Sequence, residues 1–176
     1  MIVIELITSI RHHKKASLAI LVLILLLGKI ASVPFGMHGV GTFEGERNDI
    51  LRRRNYLIGK LATTPQKIME EMPGGMDEQF QGEWAMYSCS MFAVALTNIA
   101  RIYPEQKEVS LGYIDKLIEI VMSSEIREYD RKRWWGEDAL ASFEDNHSHV
   151  SYLSILAWMM GEYKELGGGN KYWSAR

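Results

Sequence analysis

Cysteine is almost missing from this sequence: Cys89 stands alone in 176 residues. A single thiol excludes an intramolecular disulfide and a cysteine-rich zinc site, whatever the redox compartment, and it reads as a small apolar core residue. Basic excess is missing too. Twenty Lys and Arg face 22 Asp and Glu, a formal net charge of -2, which gives nothing to draw the chain onto nucleic acid, so no nucleic-acid partner is expected. No segment alternates apolar and polar residues with the period of a strand, and the boundaries marked by Gly and Pro suit helices, so the fold class read from the chain is all-α. Gly36, Gly39, Gly41 and Gly45 have neither the GxGxxG nor the GxxxxGK[ST] spacing, and no strand precedes them, so a phosphate cradle is excluded and no cofactor is expected.

What is present begins at the N-terminus. Arg11, His12, His13, Lys14 and Lys15 form a basic cluster that runs straight into the apolar stretch from Ala16 to Gly28. Charge followed by an apolar run is the order of an export signal. The run alone makes a helix of about 20 Å, short of the ~30 Å hydrocarbon core, which suits a cleaved signal; continued to Phe35 with Lys29 snorkelling, it is long enough for an anchor. Lys29 sits three residues before a bond after Ala31, so no small-x-small cleavage pair is formed. Residues 1–35 are therefore read as a signal peptide or signal anchor. Positive charge before the run keeps the N-terminus inside, so the rest is expected exported or membrane-anchored, on the non-cytoplasmic side. Residues 36–47, with their four glycines, read as a flexible linker, and 48–176 as one helical domain.

Within that domain Asn48 or Asp49 can cap a helix that buries Ile50, Leu51, Leu57, Ile58 and Leu61 and exposes Arg52, Arg53 and Arg54. Thr64-Pro65 starts a short helix, and Pro73-Gly74-Gly75 stops it. A long helix is expected from about Gly82 to Tyr103, marked on one face by Trp84, Tyr87, Met91, Ala95, Asn98 and Ile102 and widened by Phe92, Leu96, Ile99 and Ala100. Apolar round most of its circumference, it should be buried. Tyr103-Pro104 turns tightly into an antiparallel partner that reaches about Ser123 and buries Ile114, Leu117, Ile118, Val121 and Met122. A further helix from about Ser148 to Leu166 presents Tyr152, Leu153, Leu156, Trp158, Met159, Met160 and Tyr163, and Gly167-Gly168-Gly169 ends it.

Between the last two lies a connection of some twenty residues, Arg127 to His147, against the ~2–8 usual between helices. Tyr129, Trp134, Trp135 and His147 are candidate substrate contacts, because aromatic rings stack on sugar faces. Glu137, Asp138, Asp145 and His149 are candidate catalytic groups, because carboxylates and imidazole beside such a platform can exchange protons with hydroxyls, as glycoside chemistry requires. His147 and His149 with Asp145 could also chelate from an extended segment, but the set falls short of an HExxH helix, and no metal is expected. Cys89, inside the most apolar helix, is poorly placed to form a thiolate nucleophile.

The succession Gly82-Glu83-Trp84-Ala85-Met86-Tyr87-Ser88, Asn98-Ile99-Ala100-Arg101-Ile102-Tyr103-Pro104, Trp135-Gly136-Glu137-Asp138 and His149-Val150-Ser151-Tyr152-Leu153 resembles the helix-loop-helix rhythm of α/α-toroid proteins. That group holds six-hairpin glycosidases, polysaccharide lyases and epimerases. The resemblance covers roughly Gln79 to Trp173. It implies antiparallel hairpins forming part of a toroid, a carbohydrate ligand, and active-site groups on the loops at one end, where Glu137, Asp138, Asp145 and His149 fall. A full toroid has about twelve helices and this chain about five, so a truncated toroid with an exposed apolar flank, and hence self-association, is expected. The alternative is a non-catalytic, membrane-tethered interaction module or inactive fragment, in which the same loop binds a partner.

Overall fold

A computed structural model of the chain describes residues 43–72, 78–141 and 149–173, all of them helices, turns and loops. The expected export segment and the linker up to residue 42 lie outside the described residues. Two compact units divide the chain, Met1–Asp49 and Ile50–Arg176. Of the first, only the helical stretch from Phe43 is described, and the packing below belongs to the second.

Helix α1 spans Phe43–Leu61, beginning ahead of the Asn48 or Asp49 cap expected from the sequence. Glu44 and Glu46 stand in its first turn and Lys60 in its last, each charge complementing the helix dipole at its own end. Leu61 is buried and Leu57 and Ile58 pack against the core, while Arg52 and Arg53 are exposed, as the pattern predicts; Ile50 and Leu51 are only half-buried, and Arg54, expected outward, is half-buried and donates to Gln106. Thr64 caps α2 (Pro65–Glu71), accepting from the Lys67 N–H, with Pro65 in the first turn where its missing donor costs nothing.

Helix α3 (Glu78–Ile102) is the spine. Its inner face, Ala85, Met86, Cys89, Phe92, Ala93, Leu96 and Ala100, is buried, and every later helix packs on it. Small side chains at Ala85, Cys89 and Ala93 let those neighbours approach closely. Gly82 does the same at the N-terminal end, where a Cβ would stand 3.0 Å from Tyr129 Cβ and 3.2 Å from the Ile126 carbonyl oxygen. Burial has the Cys89 thiol pushed up to about 12, so it is a packing group, as its surroundings in the sequence suggested. The outer face departs from expectation. Phe80, Trp84, Tyr87, Met91 and Ile102 are exposed, because the other helices cover only one side of the cylinder.

Tyr103 is buried, and a single 3-10 turn, Pro104–Gln106, leads into α4 (Lys107–Val121). Ile114, Leu117, Ile118 and Val121 are buried, and the two helices form the expected hairpin. Helix α5 (Ser124–Arg133), capped by Ser123, buries Ile126, Tyr129 and Asp130. This helix replaces the first part of the loop expected from Arg127 onward. Helix α6 (Val150–Glu165) buries Tyr152, Leu156 and Met159, while Trp158 is half exposed and donates to Glu162. The Tyr152 hydroxyl reaches the Val121 carbonyl at 3.1 Å, and Arg101 pairs with Glu165 at 2.6 Å. These contacts set α6 antiparallel to α4 and parallel to α3. Gly167 turns the chain at φ +101, and Gly168 is required because a Cβ would lie 2.2 Å from the Tyr163 ring. The chain then returns along α4, where Lys171 meets Asp115 at 2.7 Å and Glu119 at 3.0 Å.

Two glycines inside helices make the packing testable. Gly112, exposed on α4 with open space around it, should gain about 0.5–1 kcal/mol as Gly112→Ala, since alanine restricts the unfolded chain. Gly82→Ala should instead lose about 1–3 kcal/mol through overpacking against Tyr129. Thermal melts of the two variants moving in the same direction would contradict this packing.

Candidate functional site

The site is assembled at the end of the bundle where α5 stops and α6 starts. Asp130 occupies the inward side of α5, one turn after Ile126, and is 1% exposed. His149 is the residue before α6 and is fully buried. Its backbone is left-handed, φ +42, a conformation uncommon outside glycine and enriched in short polar residues. That turn aims the imidazole back at α5, where Nδ1 lies 2.5 Å from Asp130 Oδ2. With the carboxylate ionised it can only accept, and Nδ1 is then the donor in this contact. On the other side, Nε2 lies 3.4 Å from Glu137 Oε1, a carboxylate whose side chain is 11% exposed.

The chain between is compact up to Ala141. Trp134 lies against the imidazole, ring centroids 5.4 Å apart, and Trp135 meets Trp134 edge-on at 6.2 Å. Trp135 also takes a left-handed backbone, φ +53, and Gly136 follows at φ +94. Their reversal is fastened to α5 by the Gly136 N–H on the Arg131 carbonyl at 2.8 Å and by Arg131 Nε on the Gly136 carbonyl at 3.0 Å. Trp135 is consequently 81% exposed, a ring held out from the surface. Asp138 anchors the far side. Its Oδ2 takes Arg127 Nη2 at 2.6 Å and its Oδ1 accepts the Leu140 N–H at 2.9 Å, while Arg127 also donates to the Met122 carbonyl. Partial burial works to raise the Asp138 carboxyl, but the Leu140 N–H and the Arg127 guanidinium outweigh it and hold it below the ordinary carboxylate value.

Of the residues singled out in the sequence, the structure brings Trp134, Glu137 and His149 together, with Trp135 on the rim. Asp138 stands beside them in an ion pair with Arg127. Tyr129 is directed elsewhere: it is buried, its hydroxyl donates to Met86 Sδ at 3.2 Å, and burial followed by the charge of Asp130 raises its hydroxyl well above the ordinary range. Asp145 and His147 lie outside the described residues. The residue missed as a site member is Asp130. Its signal was its place on the apolar side of α5 with Ile126 and Tyr129, visible only once 124–133 is recognised as a helix. Asp130 and Glu137 address different ring nitrogens and so do not converge on one point, and among the described residues no group of three His, Cys, Asp or Glu is placed to hold a metal ion.

Two buried polar atoms, Asp130 Oδ1 and His149 Nε2, have no hydrogen-bond partner among the described residues. Buried polar atoms are nearly always paired. Of the five such exceptions among the described residues, two fall in this pair and a third, Arg127 Nε, lies beside it, while Ser110 Oγ and Glu162 Oε2 lie elsewhere. Chemically the arrangement can fix one imidazole tautomer, keep the other ring nitrogen toward Glu137, and set a shielded acid-base pair behind an exposed indole. Comparison of the chain with protein-family models, curated proteins and solved structures finds no match.

The Asp138 clamp has a pH signature. A carboxyl held low contributes stability fully above its unfolded value, 3.8, and loses it as pH falls through the lower folded value. Asp138→Asn keeps an acceptor for Leu140 but removes the charge facing Arg127. It should therefore lower stability by about 1 kcal/mol at about pH 6, and the two melting curves should converge in acid. A gap that widens toward acid would contradict the clamp.

Proposed function

We propose that this chain is an exported or membrane-anchored helical-hairpin domain of the α/α-toroid type, acting on a carbohydrate at residues 127–149. The observation that carries the reading is the buried Asp130–His149 pair, with the second imidazole nitrogen directed at Glu137. A buried carboxylate that fixes the tautomer of an imidazole is a recurrent way to control proton transfer. Glu137 is the group that meets the substrate and exchanges a proton with a sugar hydroxyl or glycosidic oxygen. His149 is a positioning residue behind it, answering the change in charge on Glu137 while Asp130 holds the ring. Trp135 supplies the stacking face. Left-handed backbone at Trp135 and His149 supports the reading, since such strain collects where a site is held in one geometry.

A second reading is a membrane-tethered interaction module without chemistry, and the apolar outer face of α3 favours it. The full chain, incubated with mixed polysaccharides and followed by analysis of released sugars, separates the two. Under the first reading Glu137→Gln abolishes release, and Trp135→Ala weakens glycan binding about five-fold or more, equivalent to about 1 kcal/mol of stacking. Melting of Trp135→Ala stays close to the parent because the ring is mostly in solvent. Release and binding that survive both substitutions would remove the loop as a carbohydrate site, and absence of both from the parent chain would favour the module.

A further inference from the structure

Phe80, Trp84, Tyr87 and Met91 lie on one side of α3 at intervals of four, three and four residues, and Val94, Asn98 and Arg101 continue the series. That is the spacing of a helix–helix seam. The first four are 51%, 51%, 39% and 69% exposed, and Ile102 on the same side is 57% exposed. Between Glu83 and Arg101 the chain has no charged residue at all. By length and composition Phe80–Ile102 could cross a membrane, yet 56% of its most apolar window is buried inside the bundle. Half of five large side chains amounts to about 500 Å² of exposed apolar surface, as much as the largest patch on a typical monomer.

We propose that this face pairs with the same face of a second copy of the chain, antiparallel and centred on Met91. Symmetry about Met91 sets Met91 on itself, and on either side Phe80 opposite Ile102, Trp84 opposite Asn98 and Tyr87 opposite Ala95, large against smaller. A parallel pairing in register would set Trp84 on Trp84 and leave a gap at Ala95. Glu83 and Arg101 are about five turns apart and so share one flank. Within the chain Glu83 meets Arg133 at 3.5 Å and Arg101 meets Glu165 at 2.6 Å, and antiparallel pairing adds Glu83 of each copy beside Arg101 of the other. The helix dipoles also oppose each other favourably. Two copies together cover about 1,000 Å², the lower bound for a specific interface. This pairing holds whether or not the loop at 127–149 performs chemistry.

The test uses the full chain in detergent, with a short bismaleimide cross-linker. Cys89 is buried and should not react. Met91→Cys chains should link to one another. Trp84→Cys chains should link to Asn98→Cys chains but not among themselves, and Ser154→Cys, exposed on α6, should stay unlinked. In sedimentation, Met91→Glu should weaken the dimer at least a hundred-fold while its helical circular dichroism is retained. Linking of Trp84→Cys to itself would overturn the antiparallel pairing, as would equal linking at Ser154→Cys. A monomeric parent whose Met91→Cys is shielded from a membrane-impermeant maleimide in vesicles would assign the face to lipid instead, and a monomer with Met91→Cys freely labelled would leave the face in water. Either result overturns the proposal.

Discussion

Burial of one side of α3 is the constraint on which the rest depends. Ala85, Cys89, Ala93 and Ala100 are small enough for neighbouring helices to approach the backbone, and Met86, Phe92 and Leu96 fill the spaces between. Helix α4 can fold back on α3 because Pro104 ends the spine within a single turn. Helix α5 can cross its N-terminal end because Gly82 has no side chain to keep Tyr129 away. Helix α6 completes the cover, and the junction of α5 and α6 then brings Asp130 and His149 to hydrogen-bond distance. The site follows from the packing of the spine.

At that junction the protein departs from the local rules that govern its helices. A histidine and a tryptophan take left-handed backbone where glycine is the common choice, a carboxylate–imidazole pair is sealed from water, and one polar atom of each has no partner among the described residues. Burying a charge costs several kcal/mol unless it is paired. The short Asp130–His149 contact offsets that cost only in part. The Asp138–Arg127 clamp, by contrast, is partly solvated and ties the loop to the end of α4. It reads as the support on which the strained turn rests.

Much of the fold was legible in the sequence. Thr64-Pro65, Tyr103-Pro104 and the glycines after Leu166 are punctuation with local physical causes, and each falls where a described helix begins or ends. Helix α5 was hidden because its sequence, Ser124 to Arg133, is highly charged, and only Ile126, Tyr129 and Asp130 mark its inner side. The outer face of α3 was misjudged for a different reason. An apolar circumference reports that a helix has something to cover, but not how many neighbours this chain supplies to cover it. Within the site, Glu137, Trp134 and His149 could be named from residue type and loop density. Their pairing with Asp130 could not, because it depends on the helix that the charge pattern obscured.

If Asp130 holds the proton of the buried His149 ring on Nδ1 and leaves Nε2 toward Glu137, long-range proton–nitrogen correlation on the histidine-labelled full chain should show it. One imidazole should carry its proton on Nδ1, shifted far downfield and protected from exchange with water, and that signal should be lost in Asp130→Asn while the other histidines are unchanged. A His149 signal with its only proton on Nε2, or one that exchanges with water as fast as an exposed histidine, would contradict it.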